Sequence, residues 1–433
     1  MNSQSSPVAN TGAVVLGTGA PCPGDPRWTK PVMTIFAGQT VSILTTYAAS
    51  FAALWYITRA TASPLYLALA GVAALLPIGL LSPVGGVVAD RFSRKTVMIV
   101  ADATVGALSL GIAAVVALTE APIAVLLIFL AVRASAQAFH SPAMTAALAA
   151  MAPEAQLVRV NSLSQGLVSL AGIVGPALGI WCYEAVGFAG VLVLDAAGAL
   201  VACLALLPVP VPAVRLGAAA SASPSAGAAV RPSLFADFKE GLRAFLADRP
   251  LMVLFGFMAM VMLLAVPLGT LFPLVTYQVF NGNGYQASLV EAVWAFGLLA
   301  GSAGLLIWGG GKRPALVAVG GAGVIGLAAT ACGFLRGGQF VLFVVLAGII
   351  AMAVGAFSAP IVALTQKRVP DELLGRVTGI IQTVTTLAAP VGLVAAGLGA
   401  QRLGLSQWFC IAGAILVISA LAAGLSRNLR SLR

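Results

Sequence analysis

Four ionisable side chains sit where an apolar sequence should carry none: Asp102, Arg133, Asp195 and Glu291 each fall inside a long hydrophobic run, in a chain only 8% charged. A charge at the centre of a bilayer costs at least about 2.5–3.5 kcal/mol unless it is paired or wetted, so such residues are candidates for ion pairing and proton transfer. Arg133 lies eleven residues into the fourth run, about 16 Å deep at 1.5 Å per residue. With Gln137 and His140 it forms one polar stripe along a helix, the three residues being four and three positions apart. Asp102, about 10 Å into the third run, comes within axial reach of Arg133 and is expected to pair with it, as a static bridge or as a proton-linked pair. Asp195 lies at a similar depth from the outer end of the sixth run, where a structural hydrogen-bonding role is at least an equal expectation. Glu291 lies near the outer end of the eighth, within snorkelling reach of water. A carboxylate that couples protons must change protonation as its site opens and closes, and desolvation drives that change. His140, by contrast, reads first as a capping or interfacial residue.

Catalytic and metal chemistry find no support. One histidine excludes HExxH, and neither GxSxG nor GxxxxGK[ST] occurs. The five cysteines (Cys22, Cys182, Cys203, Cys332 and Cys410) show no CxxC spacing, so no metal site, disulfide framework or cofactor is expected. The GAGVIG stretch, Gly321 to Gly326, matches GxGxxG but lies inside an apolar span with no preceding strand, so it reads as close helix packing.

The elements that must hold these residues are membrane helices. With 60% hydrophobic residues in 433, the chain is an integral membrane protein, and a hydrocarbon core of about 30 Å needs roughly 20 apolar residues per helix. Twelve spans are predicted, near Thr34–Thr58, Leu65–Ala89, Thr96–Leu118, Pro122–Met144, Leu163–Cys182, Phe188–Leu207, Leu251–Val275, Leu289–Trp308, Ala315–Leu335, Phe340–Leu364, Ile380–Gly399 and Trp408–Leu425. Of the 23 Lys and Arg, Arg59, Arg336 and Arg402 fall in one set of seams and Arg133 inside a span. All the others lie in the alternate seams or near the termini. Basic residues in short loops stay on the cytoplasmic side, which places both termini there and makes the net charge of +10 a record of topology rather than of nucleic-acid binding.

The first thirty residues lack a continuous apolar core and do not read as a signal peptide. Residues 209–250 form the longest polar interruption and divide the spans six and six. Within that interruption Phe235, Phe238, Leu242 and Phe245 line one side of an amphipathic helix. Shifting the second half by 217 residues aligns APEAQLVRVNSLSQG (Ala152 to Gly166) with VPDELLGRVTGIIQT (Val369 to Thr383). Without a gap it also places Gly175 on Gly392 and Lys95 on Lys312. The predicted organisation is therefore a disordered cytoplasmic tail (1–32), a six-helix bundle (33–208), a cytoplasmic linker (209–250), a second six-helix bundle (251–426) and a cytoplasmic tail (427–433). Two homologous halves place a substrate cavity between them, near the midplane.

One seam carries a further pattern. Gly86, Asp90, Arg91, Arg94 and Lys95 match GxxxDRxxRK, and the sequence here resembles the loop between helices 2 and 3 of the major facilitator superfamily. The resemblance implies an all-α membrane fold of two pseudo-symmetric six-helix bundles. It further implies a latch in which Asp90 faces the amino end of helix 11 while the basic residues bind helix ends and lipid headgroups. The GPALG stretch with Gly175, Pro176 and Gly179 is similar to the antiporter motif of helix 5. Arg133 resembles the helix-4 arginine implicated in proton transfer. AFHSPAM, LDAAGAL and DFKEGLRAFL resemble the drug:proton antiporter branch holding macrolide-efflux and enterobactin-exporter-like pumps. What the resemblance implies is a monomeric secondary transporter of a bacterial inner membrane that exports small amphipathic drug- or siderophore-class compounds in exchange for protons. Gln39, Ser42, Thr46, Gln137, Met258 and Met262 are then candidates to line its cavity. Uptake of a small metabolite, or a receptor or scaffold that transports nothing, are the competing expectations.

Overall fold

Backbone N–H and C=O groups have no water to bond in hydrocarbon, so a chain this apolar must satisfy them within helices. The computed structural model describes residues 28–119, 122–212, 249–309, 313–369 and 371–426, and among these it is helical with no strand. Residues 1–27, most of the predicted linker with its amphipathic helix, Lys312 and the last seven residues lie outside the described part.

The helices are α1 (Thr29–Thr61), α2 (Pro64–Arg91), α3 (Arg94–Leu118) and α4 (Ile123–Met151), followed by a continuous element Leu157–Leu206. Fifty residues would extend about 75 Å, far more than a bilayer requires. The element is broken at Gly187, whose φ of 73° and ψ of 177° reverse the chain, a left-handed conformation that glycine adopts without steric cost. Its limbs, 157–186 and 188–206, are α5 and α6. The second half comprises α7 (Arg249–Val279), α8 (Gly284–Trp308), α9 (Pro314–Phe334), α10 (Phe340–Arg368), α11 (Asp371–Leu403) and α12 (Leu405–Leu425). The described residues include eleven helices long and apolar enough to cross a membrane, and the break at Gly187 makes twelve crossings. The predicted boundaries fall short where polar turns continue a helix beyond the hydrocarbon: α1 begins at Thr29 and α4 runs to Met151.

Local signals fix the ends. Ser93 caps α3 by accepting from the Thr96 N–H, and Asn283 with Gln286 forms a reciprocal capping box on α8. Small residues bring the helices together: Gly38 of α1 meets Ala202 and Ala205 of α6, and Gly198 of α6 meets Thr45. The repeat is visible in the packing, since Gly175 seats α5 against Tyr47 of α1 while Gly392 seats α11 against the Leu263 backbone of α7.

The halves clasp at the end of the spans remote from Asp90 and Lys95. There Trp55 meets Tyr277 edge to face at 6.0 Å, Gln278 Nε2 donates to the Ala62 carbonyl at 2.6 Å, and Ser63 Oγ lies 2.8 Å from Gln401 Oε1. Gly284 fits against Ile180 and Trp55. Nearer the middle, Gly71 of α2 meets Leu393 and Thr270, and Gly172 of α5 meets Ala295 of α8.

Candidate functional site

The buried charges converge on the amino-terminal half, in two layers. In the layer nearer the membrane centre, Arg133 of α4 is 6% exposed and forms an ion pair with Asp195 of α6, itself 1% exposed. The same guanidinium donates to the Thr46 carbonyl at 3.1 Å and to Ser109 Oγ at 3.4 Å, and it lies 5.0 Å from the centre of the Phe129 ring. Asp195 also accepts from Ser109 Oγ at 2.6 Å and from Thr46 Oγ1 at 3.3 Å. Both charges are thus neutralised and hydrogen-bonded, the condition under which an ion pair survives burial.

The second layer lies seven residues away along each of α1, α3 and α4, two helical turns or about 10 Å. Gln39 Nε2 donates to Asp102 Oδ2 at 2.9 Å, and His140 Nε2 lies 3.5 Å from the same oxygen. Asp102 is 8% exposed, His140 6% and Gln39 1%. One turn nearer the basic seams, Phe36, Met98 and Met144 belong to an apolar cluster that closes the core at that end.

The expected pairing of Arg133 with Asp102 is therefore corrected. Helices α3 and α4 run antiparallel, so Arg133 comes level with Ser109, two turns deeper than Asp102, and its carboxylate partner is supplied by α6 instead. Gln39 and Ser42 were expected to line a cavity but are buried inside the bundle, because α1 turns that face towards α3 and α6. Thr46 serves the ion pair. Gln137 is exposed. Met258 and Met262 pack on the core of the carboxy-terminal half. Beside α11, Met252, Phe255 and Ala259 of α7 instead border, with Val253, Ile381 and Val384, an apolar open-sided cavity of about 320 Å³. Glu291 is half-buried on α8 and forms no hydrogen bond or ion pair among the described residues. It lies one helical turn from Ala295, which meets α5.

Ser109 and Gly85 escaped the sequence reading. Each sits in an apolar run, yet Ser109 bonds both members of the ion pair and Gly85 abuts the Ala138 carbonyl of α4, whereas Gly86 has no atom near its missing Cβ. The seven-residue recurrence of polar residues on α1, α3 and α4 was the available signal for Ser109.

At the basic end, Lys95 Nζ donates to the Leu207 and Val209 carbonyls at 2.6 and 3.1 Å, and an Arg94 guanidinium nitrogen donates to the Ala146 carbonyl at 3.1 Å. Lys95 thus caps the carboxy-terminal end of α6, where the helix dipole favours positive charge, while Arg94 ties α3 to α4 just before its last turn. Asp90 and Arg91 are exposed. The side chains at the amino end of α11 lie outside the described part. In α5 the GPALG glycines Gly175 and Gly179 abut Tyr47 and the Ala48 backbone, directly beside Thr46. Pro176, with no N–H to donate, lies in the same turn.

The structure makes twelve crossings in two bundles, with a basic DRxxRK loop joining α2 to α3. The sequence matches the family model of the Major Facilitator Superfamily over residues 35–330, from α1 into α9. The chain belongs to that superfamily. Like other members of this transporter superfamily, it is a transporter rather than an enzyme. Among curated proteins it is 30% identical over 409 residues to Macrolide efflux protein A of Streptococcus pyogenes, a match covering 94% of this chain and 98% of that protein. It is 28% identical over 398 residues to the Multidrug efflux pump Tap of Mycobacterium tuberculosis, covering 89% of each. The nucleoside transporter NupG shares the fold with a TM-score of 0.69 at 13% identity, over 93% of this chain and 100% of that one. A POT family transporter does so with a TM-score of 0.69 at 12% identity, over 91% and 95%.

Proposed function

We propose that this superfamily member exports small amphipathic organic compounds of the drug or siderophore class from a bacterial cytoplasm in exchange for protons. The observation that carries the reading is the buried polar core of Arg133, Asp195, Asp102 and His140 in a chain whose full-length relatives include a macrolide efflux protein and a multidrug efflux pump. Buried charge at this depth costs too much to serve as filler, and a chain without a nucleotide-binding loop must draw energy from an ion gradient, which yields about 2.3 kcal/mol per charge per 100 mV. The apolar cavity between α7 and α11 suits a greasy substrate recognised by shape and adaptable contacts.

In this reading the basic seams and both termini face the cytoplasm. The clasp of Trp55, Tyr277, Gln278 and Ser63 then closes the outer side, and the seam carrying Asp90, Arg91, Arg94 and Lys95 forms the inner latch. Alternating access would break one set of contacts as the other forms. The chain acts as a monomer among lipids, with substrate and proton as its only ligands.

The test is transport in proteoliposomes under an imposed proton gradient, with a labelled macrolide as probe. Uphill movement of the macrolide against the proton flow supports the proposal. Gradient-independent equilibration would assign the chain to facilitated transport, and no flux of macrolides, lipophilic dyes or siderophores would assign it to a receptor or scaffold.

A further inference from the structure

We infer that the exchangeable proton is held by Asp102 and His140 together, and that Arg133–Asp195 is a fixed anchor that does not titrate in the cycle. The inference rests on the antiport reading and assigns its proton site. Charge balance separates the layers. The Arg133–Asp195 layer is neutral as it stands, with one cation, one anion and hydrogen bonds to both from Ser109 and Thr46. The Asp102 layer has one carboxylate and no permanent cation, so with a neutral imidazole it would carry a net buried negative charge, and one bound proton removes it.

The geometry fits a shared proton. Gln39 already donates to Asp102 Oδ2. His140 Nε2 is buried, 3.5 Å from that oxygen and without a hydrogen-bond partner. A neutral imidazole that turns its Nε2–H toward Oδ2 still leaves the layer with one net negative charge. One added proton removes it in either place: on the ring, where with both nitrogens protonated it gives an imidazolium–carboxylate pair, or on Oδ2, from which it is donated to a ring nitrogen left unprotonated. In transfer the Nε2–H bond breaks as the Oδ2–H bond forms, with no other reactant. On release the proton leaves the pair entirely, and the negative charge left behind favours reprotonation from the side that is then open.

The groups that face this pair are few. Gln39 comes from α1, and Cys203 of α6 is the titratable neighbour of Asp102. Arg133 on α4 is two turns away and is neutralised by Asp195. The α2 segment at this level contributes Gly85 and Ala89, which do not titrate. The apolar cluster of Phe36, Met98 and Met144 shields the pair from the basic end.

The full-length protein in proteoliposomes tests this with two assays and a labelled macrolide. Counterflow without a gradient requires substrate binding and alternating access but no net proton movement, whereas accumulation under a pH gradient requires proton coupling. The expected result is that Asp102→Asn keeps counterflow within about twofold and loses gradient-driven accumulation at least tenfold. His140→Gln, which keeps a donor but cannot titrate, is expected to shift the pH of half-maximal driven transport by at least one unit. It carries the test alone if Asp102→Asn does not fold. Substrate-induced proton release from the solubilised protein, read with an indicator dye, should be present in the wild type, absent in Asp102→Asn and displaced in pH in His140→Gln. Driven accumulation and proton release that persist in both variants with an unchanged pH profile would overturn the inference and leave antiport standing. A wild type that exchanges macrolide but neither accumulates it nor releases protons would overturn antiport, and this assignment with it.

Discussion

The two halves share a scaffold and differ in what they bury. Shifting by 217 residues carries Asp102 to Val319, Arg133 to Ile350, His140 to Phe357 and Asp195 to Ala412, all buried, and Ser109 to Gly326. At the positions where one bundle holds two carboxylates, a guanidinium and an imidazole, the other holds hydrocarbon. Its core is aromatic instead: Phe272 packs against Trp294, Phe343 and Phe409 at centroid separations of 5.3–6.2 Å. Helix packing therefore tolerates either filling, and the polar filling of one half answers a demand other than stability. Replacing buried ion pairs by well-packed apolar residues is often neutral or stabilising, which makes the apolar half the cheaper solution to the same packing problem.

That contrast can be broken most directly at the ion pair. Asp195→Ala should strand the Arg133 charge and destabilise the protein by about 3–5 kcal/mol, read from denaturation in detergent, and the double variant Arg133→Met with Asp195→Ala should recover most of the loss. Failure of the double variant to recover would show that the cluster holds the bundle together by more than charge balance. The reverse experiment, Ile350→Arg, introduces an unpaired charge into the apolar half and should cost a similar amount.

Equivalence of the scaffolds is tested by Gly175→Ala and Gly392→Ala. A Cβ at Gly175 would press on Tyr47 and at Gly392 on the Leu263 backbone, so each should cost about 1–3 kcal/mol. A cost confined to one half would show that the helix contacts are not equivalent. A smaller effect is expected from Lys95→Met, which removes the cation from the Leu207 and Val209 carbonyls at the end of α6 and should cost about 1 kcal/mol in the same assay. The smallest is Gln137→Ala on the exposed face of α4, expected to change stability by no more than about 0.5 kcal/mol, so that any change in macrolide transport reports a cavity contact rather than folding.

How much of this was legible before the structure varies by residue. The spans followed from apolar run length, and the repeat from a gapless offset. For Lys95 and Arg94 it was the resemblance that implied contact with helix ends, and in the structure they donate to carbonyls of α6 and α4. Gln39 was legible as polar but not as buried, since a stripe on a helix does not reveal which neighbour it faces. The partner of Arg133 was not legible at all: Asp102 and Asp195 lie about 10 Å in from opposite ends of their spans, which leaves both within axial reach of an arginine near the midplane.

Sequence alone determined what must be resolved: twelve helices, a duplicated half, and ionisable groups too costly to leave in lipid. Hydrocarbon thickness and the energy of burying charge are general constraints, and a one-dimensional pattern is enough to express them. Only the tertiary structure decided the pairings, because they depend on the rotation of each helix about its axis and on the register between antiparallel neighbours. Those set Arg133 level with Ser109 and Asp195, and left Asp102 beside His140 and Gln39.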